Sequence, residues 1–311
     1  MILVTGEALI DMLPGTTSAG ETILKPTPGG SPFNVALALG RLGAQVRFLC
    51  PFSTDAFGCR LAATLEESGV DLSAAPRTRA LSTLGFVDLD PKTKAARYAF
   101  YTDNTAGCGL RREDLPLPLA SEITALNVGS FSLAVEPFGS AVETLVGDHA
   151  GDRLVALDPN VRTFLIGNRD RFLMRYLRLV GRADILKMSV EDLEWLHPRS
   201  TIEEASRAYR DAGVGLVVVT RGADGATAIA GDLVVSVGAE PVHVVDTVGA
   251  GDTFQAAMLV WLAERNRLSR PGVRSWTEPD LRSLLHFASK AAALTCARAG
   301  CQPPRRAEIA P

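Results

Sequence analysis

The sequence predicts an α/β fold with a mostly parallel central sheet, flanked by helices, and a small antiparallel β lid. Three observations support this prediction. Short apolar runs typical of buried strands recur along the chain, amphipathic helical patterns lie between them, and two segments with strand-like alternation interrupt the rhythm. Repeated strand, helix and strand imply right-handed crossovers and therefore a mostly parallel sheet.

The predicted core elements alternate in chain order. Each apolar run is five to seven residues long, which suits a strand covered by helices on both faces. The predicted strands are ILVTG (2–6), QVRFLC (45–50), RLVALD (153–158), ADILKMS (183–189) and GLVVVT (215–220), and the predicted helices span 32–43, 56–70, 169–181 and 189–196.

The interrupting segments predict the lid. ETILKPT (21–27) alternates apolar and polar residues, as do residues 82–90 and 95–101 on either side of a PKTK turn. These strands have no neighbouring helices to cover them, so we expect a lid over a ligand or an edge for a second subunit. Residues 1–12, 27–80 and 102–311 then form the core, and residues 13–26 and 81–101 form the lid.

The composition is that of an ordinary globular protein. The 311 residues are 47% hydrophobic and 22% charged, with a formal net charge of −3, which gives no reason to expect nucleic-acid or acidic-membrane partners. No apolar run approaches the roughly 18 to 20 residues of a membrane span, and no signal-peptide pattern follows Met1. The five cysteines show neither disulfide-framework nor zinc-site spacing. We therefore expect a cytoplasmic protein.

Polar residues and glycines gather where the predicted strands end. Ligands of such sheets bind at the carboxyl ends of the strands, so these residues should crowd one crevice. Each of them alone is compatible with a simple turn or helix cap; together they predict a ligand site. They are Asp11, Gly29, Gly30, Asn34, Asp158, Asn160 and Arg162.

The segment VVDTVGAGDTF (244–254) has more glycine and aspartate than a strand-to-helix connection needs. Gly249 and Gly251 allow successive backbone N–H groups to turn inward as an anion-binding nest, at the positive end of a helix starting near Asp252. An N-cap role would explain Asp252 but neither the two glycines nor Asp246. A carboxylate beside a phosphate cradle suits phosphoryl transfer to a hydroxyl, with the carboxylate taking the proton.

These motifs resemble the ribokinase-like, or PfkB-type, family of ATP-dependent carbohydrate kinases, and within it the bacterial fructokinases. The resemblance runs from GEALIDMLP and GGSPFNVALALGRLGA through DPNVR, KMSVEDLEWL and VTRGADGA to a complete DTxGAGD signature. It implies a ribokinase-like fold, ATP as phosphoryl donor and Mg²⁺ as the partner of ATP. Whether a potassium ion lies beside residues 246–250 stays open.

The resemblance also implies roles for individual residues. In catalysis, Asp252 is the general base, the amides of Gly249, Ala250 and Gly251 form the anion hole, and Arg162 lies near the transferred phosphate. The implied sugar site contains Asp11, Gly29, Gly30, Asn34, Asn160 and Asp252, with Phe100 as an aromatic cover. The implied nucleotide site contains Lys187, Thr220, Gly222, Gly225, Gly249, Gly251, Ala288 and Cys296. Asp192 matches an element that orders metal-bound water, although it is shorter than the usual glutamate and Glu191 could replace it.

The sequence favours a neutral acceptor. Thr102, Asp103 and Asn104 follow the lid strand, where an anionic acceptor would require arginine. Fructose is therefore expected, and a 2-keto-3-deoxygluconate kinase or another ribokinase-like sugar kinase is the alternative. Adenosine is disfavoured because aromatic residues are only 6% of the chain.

A non-catalytic sugar-binding regulatory protein on the same fold is the alternative from another class. The intact Asp252 and the two glycines before it favour an enzyme. A hydride-transfer enzyme is disfavoured, since no GxGxxG follows the first strand. The expected partners are a small sugar and ATP, and the exposed lid strands suggest a homodimer.

Overall fold

The computed structural model describes residues 1–89 and 96–309, and the predicted PKTK turn (91–94) lies outside them. All five predicted core strands and all four predicted helices are present, and their ends differ from the predicted ones by at most four residues. The strands are β1 (Ile2–Thr5), β2 (Leu9–Thr16), β3 (Thr22–Gly29), β4 (Val46–Leu49), β5 (Phe52–Ser53), β6 (Arg77–Thr78), β7 (Thr83–Leu89), β8 (Ala96–Tyr101), β9 (Ala125–Gly129), β10 (Leu154–Asp158), β11 (Ile185–Ser189), β12 (Leu216–Thr220), β13 (Ala226–Ala230) and β14 (Leu233–Val237).

Helices connect and cover the strands of the core. α1 and α7 pack against each other, as do α7 and α8. None of the helices in the described ranges is both long and apolar enough to cross a membrane. The helices are α1 (Ser31–Arg41), α2 (Ala56–Glu66), α3 (Phe138–His149), α4 (Arg169–Val180), α5 (Val190–Leu196), α6 (Ile202–Asp211), α7 (Ala250–Glu264) and α8 (Glu278–Cys296).

The central sheet has eight strands in the order β14-β13-β12-β11-β10-β9-β1-β4. Every pair from β12 to β4 is parallel, and only β13 and β14 join in antiparallel pairs. The strands β1, β9 and β10 are buried along their whole length, as expected for a parallel sheet with helices on both faces. The predicted mostly parallel sheet is confirmed.

The second sheet has the order β3-β2-β7-β8 and contains the segments predicted as the lid. Its outer pairs, β2–β3 and β7–β8, are antiparallel, so the predicted small antiparallel sheet is confirmed, whereas β2 and β7, a pair that the sequence did not predict, are parallel. The reason is the long connection between them, residues 17–82, which includes α1 and α2 and returns the chain to the same end of the sheet. The division into core and lid, and a closing motion of the lid, stay predictions.

Several core elements were not predicted, and β9 shows why. Asn127 interrupts the short apolar run of β9, so the hydrophobic pattern of the sequence does not predict a strand here. Asn127 is buried because its Oδ1 accepts a hydrogen bond from Gln255 Nε2 of α7 at 2.8 Å. This hydrogen bond joins residues 128 positions apart and gives the buried Asn127 Oδ1 a donor. The other strands and helices that the sequence did not predict are β2, β5, β6, β13, β14, α3, α6 and α8.

Candidate active site

Asp252 lies in the first turn of α7 and is 8% exposed. Two side chains of the first turn of α1 hold its carboxylate: Ser31 Oγ donates to Oδ1 at 2.6 Å, and Asn34 Nδ2 donates to Oδ2 at 2.8 Å. Each carboxylate oxygen keeps acceptor capacity beyond one hydrogen bond. The carboxylate is therefore fixed in orientation and still able to receive a hydroxyl proton. Ser31 was not among the predicted site residues.

The turn before α7 is built around Gly249, which adopts the left-handed conformation with φ 77°. A Cβ at this position would lie 2.2 Å from Cys301 Sγ, so both the backbone angle and the close approach require glycine. The carboxylate of Asp246 accepts hydrogen bonds from the N–H groups of Val248 at 3.0 Å and Gly300 at 2.8 Å. The segment after α8 thus fixes the shape of the turn.

The amides of this turn differ in their availability. Gly251 lies in the first turn of α7, where backbone N–H groups have no acceptor inside the helix, and it is exposed. Ala250 N–H instead donates to Thr247 O at 3.2 Å. Within the described structure, Gly249 and Gly251 are therefore better placed than Ala250 to bind an anion. The anion hole formed by Gly249, Ala250 and Gly251 stays a prediction.

Lys187 lies beside the anion-binding turn. Its Nζ forms a 2.7 Å ion pair with Asp158 Oδ2, and both side chains are buried. A Cβ added to Gly251 would approach the same Nζ at 3.3 Å. Burial lowers the pKa of Lys187, but the nearby Asp158 more than offsets this and the pKa is raised. The site therefore holds a permanent positive charge next to the first turn of α7.

Asp11 and Phe100 share one face of the second sheet. Asp11 on β2 is paired with Gly85 on β7, and Gly85 is paired with Phe100 on β8. Gly29 and Gly85 leave room for the carboxylate of Asp11, since a Cβ on either would lie within 2.8 Å of its oxygens. Burial raises the pKa of Asp11 to about 6, and the positive charge of Arg162 acts in the opposite direction.

Three phenylalanines form an apolar wall at this end of the site. Phe100 stacks on Phe164 with ring centroids 5.5 Å apart and an interplanar angle of 21°, and it contacts Phe131 at 5.7 Å. Phe131 is buried in a small cluster with Leu9 and Cys108, whereas Phe164 is 50% exposed. Phe131 and Phe164 were missed, because isolated aromatic residues in separate loops form no sequence motif.

Asn34 and Glu7 present buried oxygens beside the glycine turn. Gly30 has φ 103°, and a Cβ there would lie 2.6 Å from the carbonyl oxygen of Glu7. Asn34 Oδ1 and Glu7 Oε1 are buried and have no hydrogen-bond partner among the described residues. Burial raises the pKa of Glu7 to about 7, although hydrogen bonds from Ser130 and Ser132 lower it. An unpaired buried acceptor such as Asn34 Oδ1 fits a ligand hydroxyl.

The loop after β10 carries Asn160, Arg162 and Phe164. Asn160 has φ 35°, and its N–H donates to Asp158 Oδ1 at 3.2 Å. Asp192 Oδ1 accepts from Val161 N–H at 2.7 Å, while its Oδ2 accepts from the N–H and hydroxyl of Ser189. Asp192 thus caps α5 and fixes the loop, so a metal-bound water would have to share these oxygens.

The predicted nucleotide residues fall into two groups. Gly222 and Gly225, with φ 54° and 88°, form the turn between β12 and β13, directly after Thr220. Cys296 is half-buried, and its carbonyl accepts from the N–H groups of Val245 and Asp246. Ala288 is fully buried in α8, so its side chain supports the surface near Cys296 without being part of that surface. The sequence missed a run of exposed valines next to Cys296: Val242, Val244, Val245 and Val248.

Asp103, the residue from which a neutral acceptor was predicted, is exposed and lines a cavity with Arg77 and Arg111. Its effect on the choice of acceptor stays a prediction.

The described structure therefore brings most of the predicted residues to one edge of the central sheet. Asn34, Lys187, Gly251 and Asp252 form one end, and Asp11, Phe100 and Arg162 form the other. One end offers a carboxylate, a cation and helix N-terminal amides, which suits phosphoryl transfer. The other end offers a polar group opposite an aromatic wall, which suits a small polyol.

A sequence profile described as "pfkB family carbohydrate kinase" matches residues 1–308. The fructokinase of Rhizobium leguminosarum bv. trifolii is 41% identical over 283 residues, which cover 91% of this chain and 86% of that protein.

Solved structures show the same similarity. The Xylella fastidiosa fructokinase with bound ATP superposes with a TM-score of 0.89 at 27% identity, covering 99% of this chain and 96% of that one. The Vibrio cholerae O395 fructokinase with fructose, ADP and a calcium ion gives 0.84 at 28% identity, covering 99% and 97%. A double mutant of the latter, with fructose, ADP and a potassium ion, gives 0.85 at 27% identity, covering 99% and 96%.

Proposed function

The chain belongs to the pfkB family of carbohydrate kinases and is an ATP-dependent sugar kinase, and we propose that its acceptor is fructose. The fructokinases among its relatives support this choice. The observation that carries the proposal is the buried carboxylate of Asp252, held by Ser31 and Asn34 beside the anion-binding turn. The family and the sugar-kinase activity predicted from the sequence are confirmed; the individual site residues stay proposals.

In the proposed reaction, Asp252 accepts the proton of a sugar hydroxyl while that oxygen attacks the γ-phosphorus of ATP. The bond between the γ-phosphorus and its bridging oxygen breaks, and ADP leaves with the electron pair. A carboxylate is basic enough, because the hydroxyl proton leaves late in a loose transition state. Orientation of the hydroxyl by Asp252, whose own position is fixed by two donors, supplies much of the acceleration.

Positive charge at the first turn of α7 would stabilise the transferred phosphoryl group. The amides of Gly249 and Gly251 lie at the N-terminus of a 15-residue helix, which is the positive end of the helix dipole. Lys187 adds a charged ammonium group beside Gly251. Arg162 is half-buried and close enough to Asp11 to affect its pKa. We assign it to the phosphate side of the acceptor.

At the acceptor end, the sugar hydroxyls would bond to Asp11, Asn34 and the Gly29–Gly30 turn, and Asn160 would contact the same ligand. Asn34 Oδ1 is a buried acceptor that a hydroxyl would satisfy. Phe100 would cover the apolar side of the sugar. On the nucleotide side, Thr220, Gly222 and Gly225 would border the phosphates and ribose, and the exposed valines next to Cys296 would contact adenine.

The donor set fits a magnesium ion carried by ATP. The carboxylates of Asp158, Asp192 and Asp252 all act on the charge of Lys187, so carboxylate groups lie near the place where the phosphates would bind. Within the described ranges, however, no three acidic, histidine or cysteine side chains are placed to hold a metal directly. Mg²⁺ would therefore be bound by phosphates and water, with Asp192 or Glu191 contacting a water. When bound, it would neutralise charge on the phosphates.

A potassium ion and a cytoplasmic location complete the proposal. Asp246 shapes the turn before α7 and carries the negative charge that a monovalent cation beside it would need. A potassium ion accompanies fructose and ADP in the Vibrio cholerae double mutant. Replacing potassium by a large organic cation should lower kcat, and an unchanged kcat would contradict the proposed potassium site.

The proposed cytoplasmic location fits a kinase, because the cytoplasm supplies ATP.

We also propose a homodimer through the lid. β3 and β8 are the edge strands of the second sheet and carry exposed apolar side chains: Ile23 (43%), Leu24 (44%) and Tyr101 (63%). Edge strands with apolar side chains are suited to pairing with another chain. Light scattering should give about twice the mass of 33.0 kDa; a monomer mass at micromolar concentration would contradict the dimer.

The acceptor is tested by ATP consumption in Mg²⁺ buffer with fructose, ribose, 2-keto-3-deoxygluconate, adenosine and fructose 6-phosphate. We expect fructose to give the highest kcat/KM. A higher value for an anionic sugar would overturn the acceptor assignment while leaving the sugar-kinase activity in place. A sugar that raises Tm without turnover would favour the non-catalytic alternative.

A further inference from the structure

Phe164 is an exposed aromatic side chain at the acceptor end of the site. Its ring is stacked on Phe100 and yet 50% exposed, although it belongs to the core loop after β10 and not to the lid. The same loop carries Arg162, which acts on Asp11. Phe164 therefore joins the residues that surround the acceptor without belonging to any motif of the sequence.

The three aromatic rings form a graded surface. Phe131 is buried among Leu9 and Cys108, Phe100 lies between the other two rings, and Phe164 extends the surface outward. Exposed apolar surface is often a binding site, because a ligand that covers it removes it from water. Ligand sites combine such a surface with a few polar groups. Here the polar group is Asp11, which lies on the same sheet face as Phe100, across Gly85.

We propose that Phe164 is an acceptor-binding residue whose ring, together with Phe100, packs against the C–H side of the bound sugar. The inference rests on the proposed sugar-kinase site. Phe164 belongs to the end formed by Asp11 and Phe100, and not to the end formed by Asp252 and Lys187. Its removal should therefore weaken acceptor binding and leave phosphoryl transfer at saturating sugar nearly intact.

The test compares Phe164→Ala and Phe164→Leu with the wild type, and uses Leu177→Ala as the control. Leu177 is an apolar side chain on α4 with 59% exposure. We expect Phe164→Ala to raise KM for fructose about tenfold or more, with kcat within about threefold and KM for ATP within about twofold. Phe164→Leu should be intermediate, and Leu177→Ala should match the wild type.

An unchanged KM for fructose in Phe164→Ala would overturn the inference. So would a fall in kcat at constant KM, because that result would mean that Phe164 acts only through Arg162. Equal Tm values without ligand establish that the variants are folded. If the wild type does not phosphorylate fructose, the proposed function fails, and the rise in Tm caused by the best-bound sugar still decides whether Phe164→Ala has lost affinity.

Discussion

Two buried carboxyl groups at the site have opposite environments. Asp252 receives hydrogen bonds from Ser31 and Asn34, which fix the orientation of its two oxygens. Glu7 is 1% exposed, accepts a long hydrogen bond from Ser132 N–H at 3.3 Å, and has a buried Oε1 without a hydrogen-bond partner in the described structure. The first arrangement suits a proton acceptor, and the second favours a neutral acid.

Glu7→Gln tests this contrast through the free energy of unfolding. Folding raises the pKa of Glu7 from 4.5 to about 7. The unfolded chain therefore loses this proton at lower pH than the folded one, and the wild type loses stability as the pH rises from about 4.5 to about 7. Glutamine is neutral at every pH. Between about pH 4.5 and about pH 7, the free energy of unfolding of the variant should therefore rise relative to that of the wild type by at most about 3 kcal/mol.

Urea unfolding of both proteins at pH 5 and pH 8 measures this change. The groups that act on Glu7 or face it are Ser130, Ser132 and the thiols of Cys50 and Cys108. Burial raises the pKa of Cys108 to about 12, and that of Cys50 is also raised, so both stay neutral. Asp11 titrates nearby but is common to both proteins. An equal stability difference at both pH values would contradict a neutral Glu7.

Among the elements, the second sheet decides the shape of the acceptor end. Asp11 on β2, Gly85 on β7 and Phe100 on β8 lie side by side across three strands. Alternation predicts which residues share a face within one strand, but it does not give the register between strands. The role of Gly85 therefore became visible only in the structure.

Gly85→Ala tests whether this register matters for the acceptor. A Cβ at Gly85 would lie 2.8 Å from both Asp11 Oδ1 and Phe100 Cε1, so at least one of them must move. We expect KM for fructose to rise about 10- to 100-fold with little change in KM for ATP. Steady-state kinetics with each substrate varied in turn measures both constants.

Gly15→Ala is the matched control, because it adds the same methyl group to the same sheet. Its Cβ would meet only Ile23, with the nearest atom at 3.4 Å, which is near ordinary contact distance. KM for fructose in this variant should equal that of the wild type. Equal KM values for Gly85→Ala and Gly15→Ala would contradict the assignment of this sheet face to the acceptor.

At the scale of the whole molecule, the central sheet brings distant segments together. Ser31 and Asp252 are 221 residues apart in the chain and 2.6 Å apart in space. The DTVGAGD segment and the apolar runs predicted the glycine turn before α7 and the parallel sheet, because both are encoded locally. Ser31, Phe131 and Phe164 could not be predicted, since each gains its place only from contacts between separate elements.

The same limit applies to contacts between strands and between loops. The β2–β7 pair is parallel because the chain passes through two helices before it returns, and no strand pattern gives this pairing. The composition likewise gives no sign that three of the twelve phenylalanines lie together.

The central claim, that Asp252 takes the proton of the acceptor hydroxyl, is tested most directly by kcat of Asp252→Asn with fructose and ATP. Asp170→Asn is the control, because it removes a carboxylate from the first turn of another helix, α4, at an exposed position. We predict that kcat falls by about 10²- to 10⁴-fold in Asp252→Asn and stays at the wild-type value in Asp170→Asn. A kcat within about threefold of the wild type in Asp252→Asn would contradict the account.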